Sequence, residues 1–291
     1  MSRSDRLAVS LARLVEETST VYSLPLFYER LNEVINHPRS SIDDISKVIT
    51  EDQGLAARLL RLANSPMFGC YAQVESITKA ATIIGIQQLR DLALGVSVMG
   101  VFKGIPKDLL NMTAFWRHSI ACGTVARCLA VYRRESNVER LFVAGMLHDM
   151  GQVVLAAALP EASRAILDEQ CETGGLYLEL ERRHLGFDHA ELGGAVLKKW
   201  KIPASIAEPV ACHHNPGSAE QFRTETALVH VADIICHAME LGQGAEWVVP
   251  PLDEPAWDRL GLSPHLLSAV IKQSESQLEG AFSILSGGSD D

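Results

Sequence analysis

Apolar residues recur with a helical period along almost the whole chain, and the alternation that marks strands is scarce. Near the N-terminus, residues 7–14 with Arg13, Glu16 and Glu17 read as an amphipathic helix. Asp43 and Asp44 precede a helical period over 43–50, as acidic groups do at a helix start. Leu55, Leu59, Leu60, Leu62 and Ala63 form the next apolar stripe, which Asn64-Ser65-Pro66 stops. Helices are then expected over 77–84 and, after Gly85, over 86–102. So close a pair resembles a DNA-binding helix-turn-helix, but Leu92 to Met99 is apolar all round where a recognition helix needs exposed polar groups. It reads as a core helix.

A loop with Gly104, Pro106 and Asn111 marks a boundary, and a second helical block follows. Its helices are expected over 113–132, over 138–159 ended by Pro160, and over 162–173 and 176–184 separated by Gly174-Gly175. Further helices run over 188–200, from Pro203 to His213-His214, and over 224–239. The tail Ser-Gly-Gly-Ser-Asp-Asp is expected to be disordered. The fold class is therefore all-α. An N-terminal helical layer (1–110) packs on a helical core (111–245), and a helical extension with the tail fills 246–291.

Composition narrows the setting. With 47% apolar and 21% charged residues the chain is of ordinary globular type. No uninterrupted apolar stretch reaches the roughly 18 residues of a membrane span, and the charged residues near the N-terminus do not suit a signal peptide. A cytoplasmic protein is expected, with no membrane association. The net charge of −10 opposes nucleic-acid binding through bulk electrostatics. Arg133-Arg134, Arg182-Arg183 and Lys198-Lys199-Lys201 read as solvated helix faces. The six cysteines show no Cys-x-x-Cys spacing, which excludes a zinc ribbon. Cys122 and Cys236 would share helix faces with His118 and Asp233 and are read as small core residues.

The candidate chemistry centres on His148-Asp149, set in the apolar run from Leu141 to Gly151. Charged groups are costly there unless paired or bound to a metal. His118, His189, His213, His214 and Asp233 bring the donors to seven, enough for two divalent cations. Helical neighbours point about 100 degrees apart, so the other ligands must converge from separate helices. A carboxylate can bridge two cations, whereas an imidazole serves one. The competing readings are structural: a satisfied core histidine at His118, a buried ion pair at 148–149, a favourable helix C-terminus at 213–214, an ordinary polar residue at Asp233. His37, His184, His230, His237 and His265 are all read as structural.

Several stretches together carry a family resemblance. In the N-terminal half they are Leu24-Pro25, Ile49 to Leu55, Leu59 to Ser65, and Ile77 to Ala80 with Ile84-Gly85. In the second half they are Trp116 to Ser119, Ala144 to Gly151, Gly186 to Gly193, and Trp200 through His213-His214. Over roughly residues 20 to 245 the chain resembles an HDOD-domain protein, a bacterial branch of the HD superfamily. The resemblance implies an HD-type helical core in the second half. Many members of that family lack part of the metal-ligand set and act as regulatory or scaffolding domains, whereas this sequence keeps a full set.

By likeness to metal-bearing HD proteins, His118, His148 and Asp233 would hold one metal. His189, His213 and His214 would hold the other, with Asp149 bridging. The two ions would be iron or manganese, with zinc or nickel also suited to such ligands. The cyclic-dinucleotide phosphodiesterases of the HD-GYP type carry a Lys three residues after the His-Asp aspartate, where this chain has Gln152. They also carry a Gly-Tyr-Pro motif, where this chain has Asn215-Pro216-Gly217. That activity is therefore not expected.

The readings carried forward are a signalling or regulatory module with a retained dinuclear centre, a metal-dependent phosphohydrolase, and an oxygen- or redox-responsive di-iron site. Expected partners are a signalling protein or a phosphorylated small molecule. Arg117, next to His118, is the candidate for binding a substrate phosphate.

Overall fold

The computed structural model describes residues 10–22, 26–69, 73–102, 104–242 and 248–286. Among them there is no strand. The N-terminal layer holds α1 (Leu11–Val21), α2 (Leu26–Asn36), α3 (Ile42–Glu51), α4 (Gln53–Ala63), α5 (Ile77–Ile84) and α6 (Ile86–Met99). Next come α7 (Met112–Arg133), α8 (Val138–Leu147), α9 (Met150–Ala158), α10 (Pro160–Thr173) and α11 (Tyr177–Leu185). The chain continues through α12 (His189–Lys199), α13 (Ala204–Cys212), α14 (Arg223–Ala238), α15 (Glu254–Leu260) and α16 (Leu267–Leu285). Helix α2 fills a stretch for which no element was expected, and the helix expected over 86–102 stops at Met99, capped by Gly100. The motif Leu24-Pro25, the first turns of the N-terminal stretch, Cys70 and the final five residues lie outside the described residues.

Side chains at the helix starts supply acceptors for amides that have no partner inside the helix. Ser41 and Asp44 form a reciprocal capping box on α3, while Asp52, Asn111, Asn137 and Asp188 cap α4, α7, α8 and α12. Asn64 ends α4 and braces the next loop: its amide donates to the Leu60 and Val74 carbonyls, and its oxygen accepts from the Val74 amide.

The segment expected as one helix over 138–159 is two helices, α8 and α9, with a turn at His148-Asp149. Asp149 sits at φ −94°, ψ 6°, and its carbonyl accepts from Gln152 three residues on, the tighter 3-10 spacing. The apolar period runs unbroken through this turn because the residues on both sides stay buried. From Val138 to Ala158 the chain is long and apolar enough to cross a bilayer, yet 89% of that window is buried inside the protein.

Helix α7 is central, with every residue from His118 to Ala130 buried. It crosses α8 at a pair of facing glycines, Gly123 and Gly145. A continuous apolar core runs from Leu14 to Leu285, with a satellite of Ile166, Tyr177 and Leu180 beneath α10 and α11. The buried Asp91 of α6 pairs with neighbouring Arg90 at 2.7 Å and reaches Arg140 of α8 at 3.5 Å, tying the N-terminal layer to the helix that ends at His148.

Candidate metal centre

The seven donors converge from five helices and their ends. His118 comes from the second turn of α7, His148 and Asp149 from the α8–α9 turn, and His189 from the first residue of α12. His213 and His214 follow α13, and Asp233 lies in α14. They form two groups, His118 with His148 and Asp233, and Asp149 with His189, His213 and His214. Within each group one donor atom per residue lies within 4.8 Å of the others.

Asp149 divides its two oxygens between the groups. Its Oδ2 lies 3.2 Å from His148 Nε2 and 3.7 Å from His118 Nε2. Its Oδ1 lies 3.2 Å from His189 Nε2 and 3.6 Å from His213 Nε2. Asp233 Oδ1 stands 3.2 Å from His118 Nε2 and 3.3 Å from His148 Nε2.

Four of these imidazoles have their other nitrogen committed to an oxygen. Nδ1–H of His148 donates to the Gly145 carbonyl at 2.7 Å and that of His213 to the Val210 carbonyl at 2.8 Å. His118 donates to the Leu241 carbonyl at 3.3 Å, and His189 to the Glu181 carboxylate at 2.6 Å. In the neutral form with Nδ1 protonated, each Nε2 would turn a lone pair to the interior, the arrangement found around metal-bound histidines. The Nε2 atoms of His214 and His189 stand 2.9 Å apart.

Burial and charge act strongly on these groups. His148, His189 and His213 are fully buried, His118, Asp149 and Asp233 nearly so, and only His214 is half-buried. Burial lowers the affinity of His148 for a proton, but the charge and hydrogen bonds of Asp149 and Asp233 outweigh it and hold its pKa well above the ordinary value. Burial raises Asp149, yet His148, His189 and His213 hold it well below the ordinary value. Asp233 is likewise held low by His237, His118 and His148 against burial. Burial, with the neighbouring imidazoles, pushes His213 down and His214 well down, favouring their neutral, ligating forms.

The donor set fits a pair of cations. His148 Nε2, Asp149 Oδ1 and His213 Nε2 are sealed from solvent, and no protein donor or acceptor meets them in hydrogen-bonding directions. Such buried orphans are costly, and cations held by the two groups would satisfy all three. Carboxylates and imidazoles suit iron, manganese, zinc or nickel. Cys122 belongs to neither group, and burial, with Cys236 and the carboxylates, pushes its thiol well up.

Sequence reasoning missed two groups. Glu181 of α11 is fully buried, and its Oε2 accepts from both Nδ1 (2.6 Å) and the backbone amide (2.9 Å) of His189. His237, one turn beyond Asp233, places Nδ1 2.9 Å from Asp233 Oδ1 and packs edge-on against His118 with ring centroids 4.6 Å apart. A spacing of four on a helix was the available signal for His237.

Arg117 is not brought to the cluster. It pairs with Glu279 of α16 and lies over the Phe282 ring at 5.3 Å, because its neighbour His118 takes the inward direction on α7. His184 pairs with Glu169 at 2.6 Å. His230 donates to the His213 carbonyl and accepts from the Asp253 amide, a structural brace.

An all-helical protein with a buried, two-group cluster of imidazoles and carboxylates is the class that this fold and site define. The HDOD domain model matches residues 21–216, and the chain belongs to the HDOD family. An HDOD domain protein of unknown function from Geobacter sulfurreducens has a similar structure, with a TM-score of 0.73 and 25% identity over 94% of this chain and 97% of that one. A candidate phosphohydrolase from Shewanella amazonensis SB2B gives 0.72 at 23% identity, covering 97% of this chain and 100% of that one. A candidate signal transduction protein from Marinobacter aquaeolei VT8 gives 0.69 at 19%, covering 94% and 61%. The last two likenesses show the shared fold. A protein of Treponema pallidum (strain Nichols) is 25% identical over 235 residues, which are 80% of this chain but 45% of that relative's length.

Proposed function

We propose that this chain is a bacterial, cytoplasmic signalling or regulatory HDOD protein built around a dinuclear metal centre. His118, His148 and Asp233 hold one ion, His189, His213 and His214 hold the other, and Asp149 bridges them. Iron or manganese is the preferred pair. The observation that carries this reading is the fixed orientation of four imidazoles, each with Nδ1 bound to oxygen and Nε2 turned toward the two carboxylates. The helices of 1–110 act as the layer that covers the HD-type part, 111–245, and 246–291 extends it.

Regulation is favoured over turnover because the donors are sealed apart from His214, and Arg117 faces away. Gln152, in the position where a Lys would attract phosphate, is neutral and buried. The second reading is a metal-dependent phosphohydrolase, favoured by the half-buried edge at His214 and by the label of the Shewanella relative. Bound metals would supply an activated water and charge for a phosphoester. The residues themselves orient the ligand atoms and exclude water. The partner would be a signalling protein in the first reading and a phosphorylated small molecule in the second.

The test is metal content by mass spectrometry on untagged protein and on Asp149→Ala, produced with iron and manganese supplied. About two ions per chain, clearly reduced in the variant, is the expected result. Parent protein with little or no metal would sink both readings. A phosphoester screen on metal-loaded protein then separates regulation from hydrolysis.

A further inference from the structure

Two cavities away from the His/Asp cluster meet at one side chain, Arg58 of α4. The first, about 280 Å³, lies within the N-terminal layer, among α1, α2, α4 and α6, with walls that include Tyr22, Phe27, Leu55 and Val96. The second, also about 280 Å³, lies where α6 meets α7 and α16, and includes Met99, Trp116, Phe282 and Leu285.

Arg58 Nε is cut off from water and has no hydrogen-bond partner. Two other arginines have sealed, unbonded Nε atoms, Arg127 and Arg140, but each has a carboxylate 3.5 Å away, from Glu139 and Asp91. Among the described residues Arg58 has no ion pair. Asp52 lines the first cavity, but its Oδ1 is used in capping α4 through the Leu55 amide at 2.9 Å. A guanidinium cannot shed its charge by deprotonation at any ordinary pH. Arg58 thus brings a charge that no ion pair among the described residues matches to the wall shared by two cavities.

We propose that Arg58 binds the carboxylate of a small organic acid whose apolar body occupies the first cavity, against Tyr22, Phe27 and Leu55. A planar carboxylate would meet the two terminal nitrogens of the guanidinium end-on with two parallel hydrogen bonds, Nε staying sealed in the protein. The aromatic and aliphatic walls suit a ring or a short chain, and would give little to inorganic phosphate. The site is separate from the His/Asp cluster, but α6 links the two: it lines this cavity and packs on α8, which ends at His148. A ligand here is placed to act as a regulatory input.

The experiment uses the full chain with benzoate, phenylacetate and octanoate, with benzyl alcohol as the neutral control and inorganic phosphate as the small-anion control. Binding is read by ligand-observed NMR and by the shift in unfolding temperature. At least one acid is expected to bind at millimolar or lower concentration, with affinity reduced about tenfold or more in Arg58→Met. Arg58→Lys should retain part of the binding, and the unliganded unfolding temperatures of both variants verify that they are folded. Equal binding to parent and Arg58→Met overturns the proposal. So does equal binding of benzyl alcohol, a response to phosphate alone, or no binding of any of the three acids.

Discussion

Four imidazoles in the cluster keep their Nδ1 protons on oxygen, and only for His189 does that oxygen belong to a side chain. Glu181 therefore does at His189 what backbone carbonyls do elsewhere, with a full negative charge added. Glu181→Gln preserves the size of the side chain but removes that charge. It is expected to weaken metal binding at the His189 group about 10- to 100-fold, read by competition with a calibrated chelator. Unchanged affinity would mean that Glu181 serves only to anchor the first turn of α12 through the His189 amide. The seven donors were legible because each is a polar residue in an apolar helical setting, where a surface explanation fails. Glu181 was not legible: Arg182 and Arg183 follow it, so its neighbourhood has the composition of a solvated face. Arg117 lies away from the cluster for a geometric reason. Adjacent positions on a helix diverge, and the inward direction at that level of α7 belongs to His118.

The helices themselves follow from periodicity and caps, and most ends fall where Asn, Asp, Ser, Gly or Pro stands. What periodicity could not show is how closely they approach. A Cβ on Gly123 would lie 2.4 Å from the Phe142 carbonyl oxygen, and one on Gly145 would lie 2.8 Å from Gly123 Cα. Both are backbone contacts that cannot swing aside. Gly123→Ala is expected to lower stability by about 2–3 kcal/mol, measured by urea unfolding, with Gly145→Ala similar. The same variants should loosen metal binding, because this crossing sets the distance between His118 on α7 and His148 at the end of α8. A fully stable Gly123→Ala protein would show that the two helices separate more freely than this contact implies. The turn at His148-Asp149 was equally hidden. Its backbone departs from a helix for barely one residue, and a pattern of buried positions is blind to so small a change.

Because one apolar core joins the N-terminal layer to the helices that hold the donors, the metals and the fold should stand or fall together. Ligands that bind only the folded state add to its stability by mass action, about 2.7 kcal/mol per site when free metal stands at a hundred times its Kd. Stripping the protein with a strong chelator is expected to lower Tm by about 5 °C or more, and readdition of metal should restore it. A Tm indifferent to both treatments would argue that the cluster is held rigid by protein contacts alone. The His148-Asp149 pair also matters before there is a fold to stabilise. Before its neighbours pack on it, the stretch 138–158 is by length and composition apolar enough to enter a bilayer. A carboxylate at the centre of such a segment adds about 2.5–3.5 kcal/mol to the cost of insertion. Asp149 thus disfavours entry of that unpacked segment into a bilayer, a role independent of any ligand that it holds.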